Sequence, residues 1–221
     1  MAINPSYREY SHPVRHGSDS LEELDGPGIR RFQTLRSLGA ASRDELSDDQ
    51  CARAIATMCG YFGSSGAAYG VWFNHLERVL NGMGCGFANG TSAHLDLVQE
   101  ATWPKWSELM RGFPTEADEL WQKDAHFFLR LIESLPVEVL LCNGKSVSVS
   151  TEKLIGTTRV ADGALARLRW TISKGTIAGR PVWVAGWNLP LVRATGLGRD
   201  GEHELGQTLR GALQAAGMAA H

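Results

Sequence analysis

Long apolar runs are missing from this sequence. No stretch approaches the roughly 18 residues of a membrane-spanning helix, so a membrane-embedded chain is not expected. Missing too is an excess of charge of one sign. Lys and Arg number 22, Asp and Glu 24, and the formal net charge is −2. That balance excludes a strong nonspecific pull towards nucleic acid or anionic membrane and leaves any phosphate contact to a local patch. The four cysteines, Cys51, Cys59, Cys85 and Cys142, include no CxxC pair. Cys51 and Cys59 stand eight residues apart in one predicted helix, too far along it to bridge. Reduced, mostly buried thiols in a cytoplasmic protein are the expectation. His75, Cys85 and His94 match no zinc-ligand spacing, so no metal site is assigned and no cofactor is expected. The opening residues, Met1-Ala2-Ile3-Asn4-Pro5, carry neither a basic nor an apolar stretch and do not read as a secretory signal.

What is present is an ordinary globular composition, 43% hydrophobic and 21% charged over 221 residues. With no repeat, low-complexity tract or linker, it reads as a single domain over 1–221 and a monomer. Helical periodicity predicts a helix over 28–38, with Ile29, Phe32, Leu35 and Leu38 on one side and Gly39 as its stop. A second helix runs to Gly60 from an N-cap at Ser47, with Asp48 and Asp49 in its first turn. A third covers 71–81 and stops at Gly82. Thr115 and Asp118 form a loose capping signature ahead of a long helix that ends before Pro136. The last helix, over 201–216, repeats Leu205, Leu209 and Leu213. Strands are predicted over 137–142 and 181–186, both buried, and over 165–173, half-buried by its alternation. The segment 94–98 is a weaker strand. Strands alternating with helices imply an α/β fold, a three-layer α/β/α sandwich with a short, mostly parallel sheet.

Functional groups in such sheets lie just beyond the carboxyl ends of the strands. One such segment, Asn143-Gly144-Lys145-Ser146, has the Gly-Lys-Ser of a P-loop. Glu138 stands where the upstream glycine belongs, so the segment reads first as a turn whose Ser146 caps the next helix. Another, Ile3-Asn4-Pro5-Ser6-Tyr7-Arg8-Glu9-Tyr10, is a strand stub, an Asn-Pro turn and a polar, aromatic segment. Only three residues precede Asn4, against about five or six in a usual strand, which gives the expectation of a chain that starts late.

On the Asn4-Pro5-Ser6 turn the sequence resembles the uracil-DNA glycosylase superfamily, whose first motif ends the first strand. The order of later segments is similar: Ala93-His94-Leu95-Asp96-Leu97-Val98 as the base-reading strand, Val139 to Lys145 as the strand that turns into a Gly-Lys helix, and Val182 to Pro190 as the last strand and loop. The resemblance implies cleavage of a base from its sugar, with an oxocarbenium-like sugar and an anionic base to stabilise. It implies Asn4 orienting a water, Tyr7 or Tyr10 stacking on an extruded base beside Ser6, Asp96 reading the base edge and Asn188 stabilising the leaving base. An ionised Asp96 accepts hydrogen bonds without donating, which favours a base edge rich in N–H groups. Asn188 stands where the family has a histidine. Arg15, Arg30 and Arg31 are the candidate contacts to a DNA or nucleotide phosphate, a solvated surface being their bland alternative. His12 and His16 read as loop residues, and Trp103 and Trp106 as closing a core edge. The two functional expectations are a glycosylase-like hydrolase and a non-catalytic module that binds a nucleotide or modified base. A third is an unrelated α/β protein with protein partners.

Overall fold

The computed structural model describes residues 1–3, 5, 31–62, 70–102, 106–191 and 196–219. The chain divides into two compact units, one of Met1–Pro5, Val71–Glu100 and Pro104–His221, the other of Ser6–Gly70 and Ala101–Trp103.

In the second of these, α1 (Leu35–Leu38) is shorter than the periodicity predicts. Thr34 is extended (ψ 158°) and its side chain accepts the Ser37 N–H, so the helix starts there. Gly39 ends it in the left-handed conformation (φ 75°). α2 (Asp48–Tyr61) begins as the sequence indicates, at Ser47, whose hydroxyl and the Gln50 side chain cap each other's backbone N–H. Gln50 and Arg53 donate to the Leu38 carbonyl and tie α2 to α1.

The other unit holds α3 (Gly70–Met83), α4 (Trp106–Gly112), α5 (Pro114–Ser134), β1 (Val139–Asn143), α6 (Lys145–Ile155), β2 (Thr158–Leu165), β3 (Leu168–Ile177), β4 (Arg180–Trp187) and α7 (Gly198–Ala215). It is α/β, with a four-stranded mixed sheet in the order β1-β4-β3-β2. β1 pairs with β4 in parallel, while β4 with β3 and β3 with β2 are antiparallel. Two tight hairpins explain the antiparallel half. Ala178 and Gly179 both have positive φ (49° and 77°), the geometry that matches strand twist in a two-residue turn. The predicted strand over 165–173 straddles the other turn, at Ala166 and Arg167. β2 escapes a sequence reading because it is an edge strand whose residues are exposed or half-buried.

Register assigns the faces. Leu140, Cys142, Val182 and Val184 share one face and pack with Met1, Leu97, Val147 of α6 and Phe128 and Ile132 of α5 into a buried core. Trp170, Trp183, Trp187 and Ile172 occupy the opposite face and are buried as well. Val182 to Trp187 are all buried, which requires cover on both sides of β4. Leu205, Leu209 and Leu213 of α7 are fully buried, as their spacing predicts. Beyond β1, Met1 exchanges backbone hydrogen bonds with Leu141 and Asn143 (2.6 and 3.4 Å), and Ala2 forms a parallel bridge with Asp96. The segment 94–98 is therefore an isolated bridge rather than a full strand.

Two helix starts differ from expectation. α5 begins with Pro114 after Phe113, with no side-chain cap, so Thr115 lies inside its first turn. α6 begins after Gly144 (φ 112°), again with no side-chain cap, and Ser146 is exposed within the helix. All four cysteines are free, yet Cys142 alone is buried: Cys59 is exposed, Cys51 and Cys85 half-buried. Helix α2 explains this, since it buries Tyr61 alone and turns Cys59 outward. Among the described residues, no helix is long and apolar enough to cross a membrane.

Candidate functional site

Asn4, Ser6, Tyr7, Tyr10, Arg15 and Arg30 lie outside the described residues, as do His12, His16 and Trp103. Trp106 opens α4, half-buried. Arg31 is buried, with its guanidinium 4.5 Å above the Phe32 ring. Asp96 and Asn188 can be placed in detail.

Asp96 is buried (4% exposed) and level with Ala2. Parallel-type hydrogen bonds fix it there: Ala2 N–H donates to the Leu95 carbonyl, Leu97 N–H to that of Ala2, and Val98 N–H to that of Ile3. The Gln99 side chain donates to the Asp96 carbonyl. His94, two residues back and so on the same face, brings Nδ1 to 3.7 Å from Asp96 Oδ2. Its ring is held edge-on by Phe73 (centroids 5.0 Å, planes at 89°) and near Phe87.

A residue that sequence reasoning took for part of a turn completes the arrangement. Asn143 ends β1, buried at 4% exposure. Its Oδ1 accepts from Trp187 Nε1 (2.9 Å) and from the Leu191 backbone N–H (3.0 Å). Two donors on one atom identify it as the oxygen and assign the amide without ambiguity. Its Nδ2 is buried and has no hydrogen-bond partner. A buried NH2 without an acceptor costs about 1–3 kcal/mol, and such a group is a sign of function or of a bound water or ligand. The signal in the sequence was an asparagine at the end of a buried strand. Its orientation depends on Trp187 and Leu191, more than forty residues away.

The hydrogen bonds of Met1 set Ala2 level with Asn143, and register sets Asn143 level with Trp187 and Trp187 level with Trp170. Asp96, Ala2, Asn143, Trp187 and Trp170 thus form one row across one face of the sheet. Two strand spacings, about 10 Å, separate the backbones of Asp96 and Asn143.

Asn188 follows β4, half-buried. Its Oδ1 accepts the Arg169 N–H (2.9 Å) and its own N–H donates to the Arg169 carbonyl, closing the end of the β3–β4 ladder. Its carbonyl accepts the Lys145 N–H, the first of α6. Pro190 lies over the same point, where a Cβ on Gly144 would meet Pro190 Cγ at 3.1 Å. The helix end that a P-loop would open to phosphate is thereby covered by the 188–190 loop. A GxGxxG spacing, Gly196-Leu197-Gly198-Arg199-Asp200-Gly201, leads into α7. It begins nine residues after β4 ends, so it lacks the tight strand-to-helix turn of a dinucleotide fingerprint. His75 and Cys85 do not assemble a metal site. His75 pairs with Glu202 beside Arg78, and the Cys85 thiol donates to the Leu80 carbonyl. Among the described residues no three His, Cys, Asp or Glu side chains gather as a metal would need. No protein-family profile, curated protein or solved structure matches the chain.

Proposed function

We propose that the chain is a uracil-DNA glycosylase-like protein that recognises a nucleobase, flipped from DNA or free in a nucleotide, and hydrolyses its N-glycosidic bond. The observation that carries the reading is the row in which buried Asp96 and Asn143 share one sheet face. The hydrogen bonds of residues 1–3 to 95–98 and to β1 support a parallel order of 94–98, 1–3, β1 and β4 with helices on both faces, the three-layer sandwich that the resemblance implies. Asn4, next along the chain from Ile3, is the residue that the resemblance assigns to orienting a water. Ser6 and Tyr7 or Tyr10 follow it as the stacking segment.

Asn143 is better suited than Asp96 to a base edge that shows carbonyls, because its remaining function is donation. Asn188 contributes through its Nδ2, its oxygen being committed to Arg169. Arg15 and Arg30 remain the candidate phosphate contacts, whereas Arg31 is buried over Phe32, which does not favour that role. The protein would act as a monomer in the cytoplasm, with no cofactor. The second reading, a binding module without catalysis, is favoured by one feature: at Asn188 an amide stands in place of an imidazole.

The test is base release from single-stranded and duplex oligonucleotides carrying uracil, hypoxanthine or xanthine, with Asn4→Ala as the control. Asn143→Asp should keep the Trp187 and Leu191 bonds but present an acceptor to the base carbonyl. Binding of the preferred oligonucleotide, read by fluorescence anisotropy, should weaken about 10- to 100-fold, or ~1.4–3 kcal/mol. Salt-dependent binding without release would select the module, and no binding would end both readings.

A further inference from the structure

We propose that the groove between α6 and the outer edge of β2 binds the C-terminal segment of a partner protein as an added strand. The proposal is independent of the nucleobase reading, because this groove lies at the opposite end of α6 from Asn143 and Gly144.

Among the described residues β2 ends the sheet and pairs with β3 alone. The outward backbone N–H and C=O groups of such an edge are a template for one more strand. The ladder with β3 is regular from Ala161 to Leu165 and shifts register between Arg159 and Ala161, which leaves Val160 as the extra residue of a bulge. A bulge ends regular pairing and re-aims the side chains beside it. Where the ladder breaks, an open cleft of about 650 Å³ lies between Val149, Glu152 and Lys153 of α6 and Arg159 and Ser173 of the sheet. The carboxylate in its lining is committed, since Glu152 accepts from the buried Ser173 hydroxyl (2.8 Å). The Lys153 ammonium and the Arg159 guanidinium have no hydrogen-bond or ion-pair partner among the described residues. Two unpaired cations beside a satisfied acid make the cleft complementary to an anion.

Chain direction says which anion. β2 runs away from the cleft, from Thr158 to Leu165. A strand added antiparallel to it runs towards the cleft and brings its terminal carboxylate to Lys153 and Arg159. A parallel strand would bring its terminal ammonium to the same two cations, which repel it. Register then sets the side chains. Arg159 is level with Ser173 and Asp162 with Thr171. The bulge therefore puts Arg159 and Asp162 on one face, two ladder positions apart, and the Ser173–Glu152 bond marks that face as the one towards α6. Asp162 is exposed and has no ion-pair partner among the described residues. The segment that fits ends in an apolar residue against Val149, which is 52% exposed, and carries a lysine or arginine two positions earlier, opposite Asp162.

Fluorescence anisotropy with a labelled hexapeptide tests the proposal. The probe alternates threonine and valine, has lysine two positions before a terminal valine, and keeps a free carboxylate. Wild type should bind it, and the same peptide ending in a carboxamide should bind about tenfold more weakly or worse. Lys153→Ala and Arg159→Ala should each weaken binding about 3- to 10-fold, and Arg159→Glu should abolish it. Asp162→Lys should shift the preference from lysine to glutamate at that peptide position. Methylating one alternate set of the peptide's backbone amides should abolish binding and methylating the other should not, as pairing along one edge requires. No binding of the free-carboxylate probe at about 1 mM would overturn the proposal. So would equal binding of acid and carboxamide, which needs no substituted protein and holds whether or not the variants fold. Weakened oligonucleotide binding by Arg159→Glu, with no peptide bound by wild type, would assign these cations to phosphate and overturn it as well.

Discussion

At Cys142 the core acts on a single ionisable group. Burial pushes the thiol from its ordinary value of 9.0 up to about 11, against smaller opposing effects of the Met1 ammonium and the Thr151 hydroxyl. The thiol stays protonated in the folded chain after the unfolded chain has begun to ionise. Stability from this group is therefore full below about pH 9 and falls as pH rises from 9 towards 11, by on the order of 2–3 kcal/mol in total. Urea unfolding at pH 8 and pH 11 should show the loss, and Cys142→Ala, less stable at pH 8, should show a smaller one. An equal loss in both proteins would exclude the thiol as its source. Asn143 belongs to the same scale. The letters Asn-Gly after a buried strand read as a turn, and nothing in them says which side of the amide is satisfied. Trp187 and Leu191 decide that by donating to the oxygen and leaving the NH2 over.

Among the elements, α3 shows where a local rule is overridden. Gly82 reads as a helix stop because glycine favours helix ends. The helix instead runs on to Met83, since Gly82 faces α7 and Gly206 faces α3. A Cβ on Gly82 would collide with the His203 carbonyl oxygen, and one on Gly206 with that of Val79. Here glycine permits close approach rather than a turn. Gly82→Ala should destabilise the protein by about 1–3 kcal/mol or more, because a backbone carbonyl cannot rotate away. Gly60, in α2 with open space around it, is the control. Gly60→Ala should stabilise by about 0.5–1 kcal/mol. Thermal melts of the two variants should move in opposite directions. Elements with strong local chemistry were legible: the Ser47–Gln50 capping box opens α2, and the leucine stripe of α7 is buried. β2 was not, since an exposed edge strand needs no apolar pattern and is held by pairing with β3.

For the whole molecule, a net charge of −2 limits how nucleic acid can be held. A site with one to three phosphate contacts should give a slope of about −0.7 to −2 for log binding constant against log salt on single strands. Titrations of a single-stranded oligonucleotide from 50 to 200 mM salt check this, and a slope steeper than about −4 would mean a basic face that the composition does not suggest.

Local chemistry alone was enough to determine the α/β class, the buried strands β1 and β4 and the bounds of α2. Side-chain period, caps and turn residues act over a few neighbours and are written in the chain itself. The neighbours of each strand were decided by the tertiary structure. Met1 to Ile3 meet residue 96 and β1 across more than ninety residues, the hairpins turn half the named sheet antiparallel, and Asp96 and Asn143 come onto one face. That outcome depends on which buried surfaces and backbone hydrogen bonds can be satisfied together, and a segment read by itself does not contain its partner.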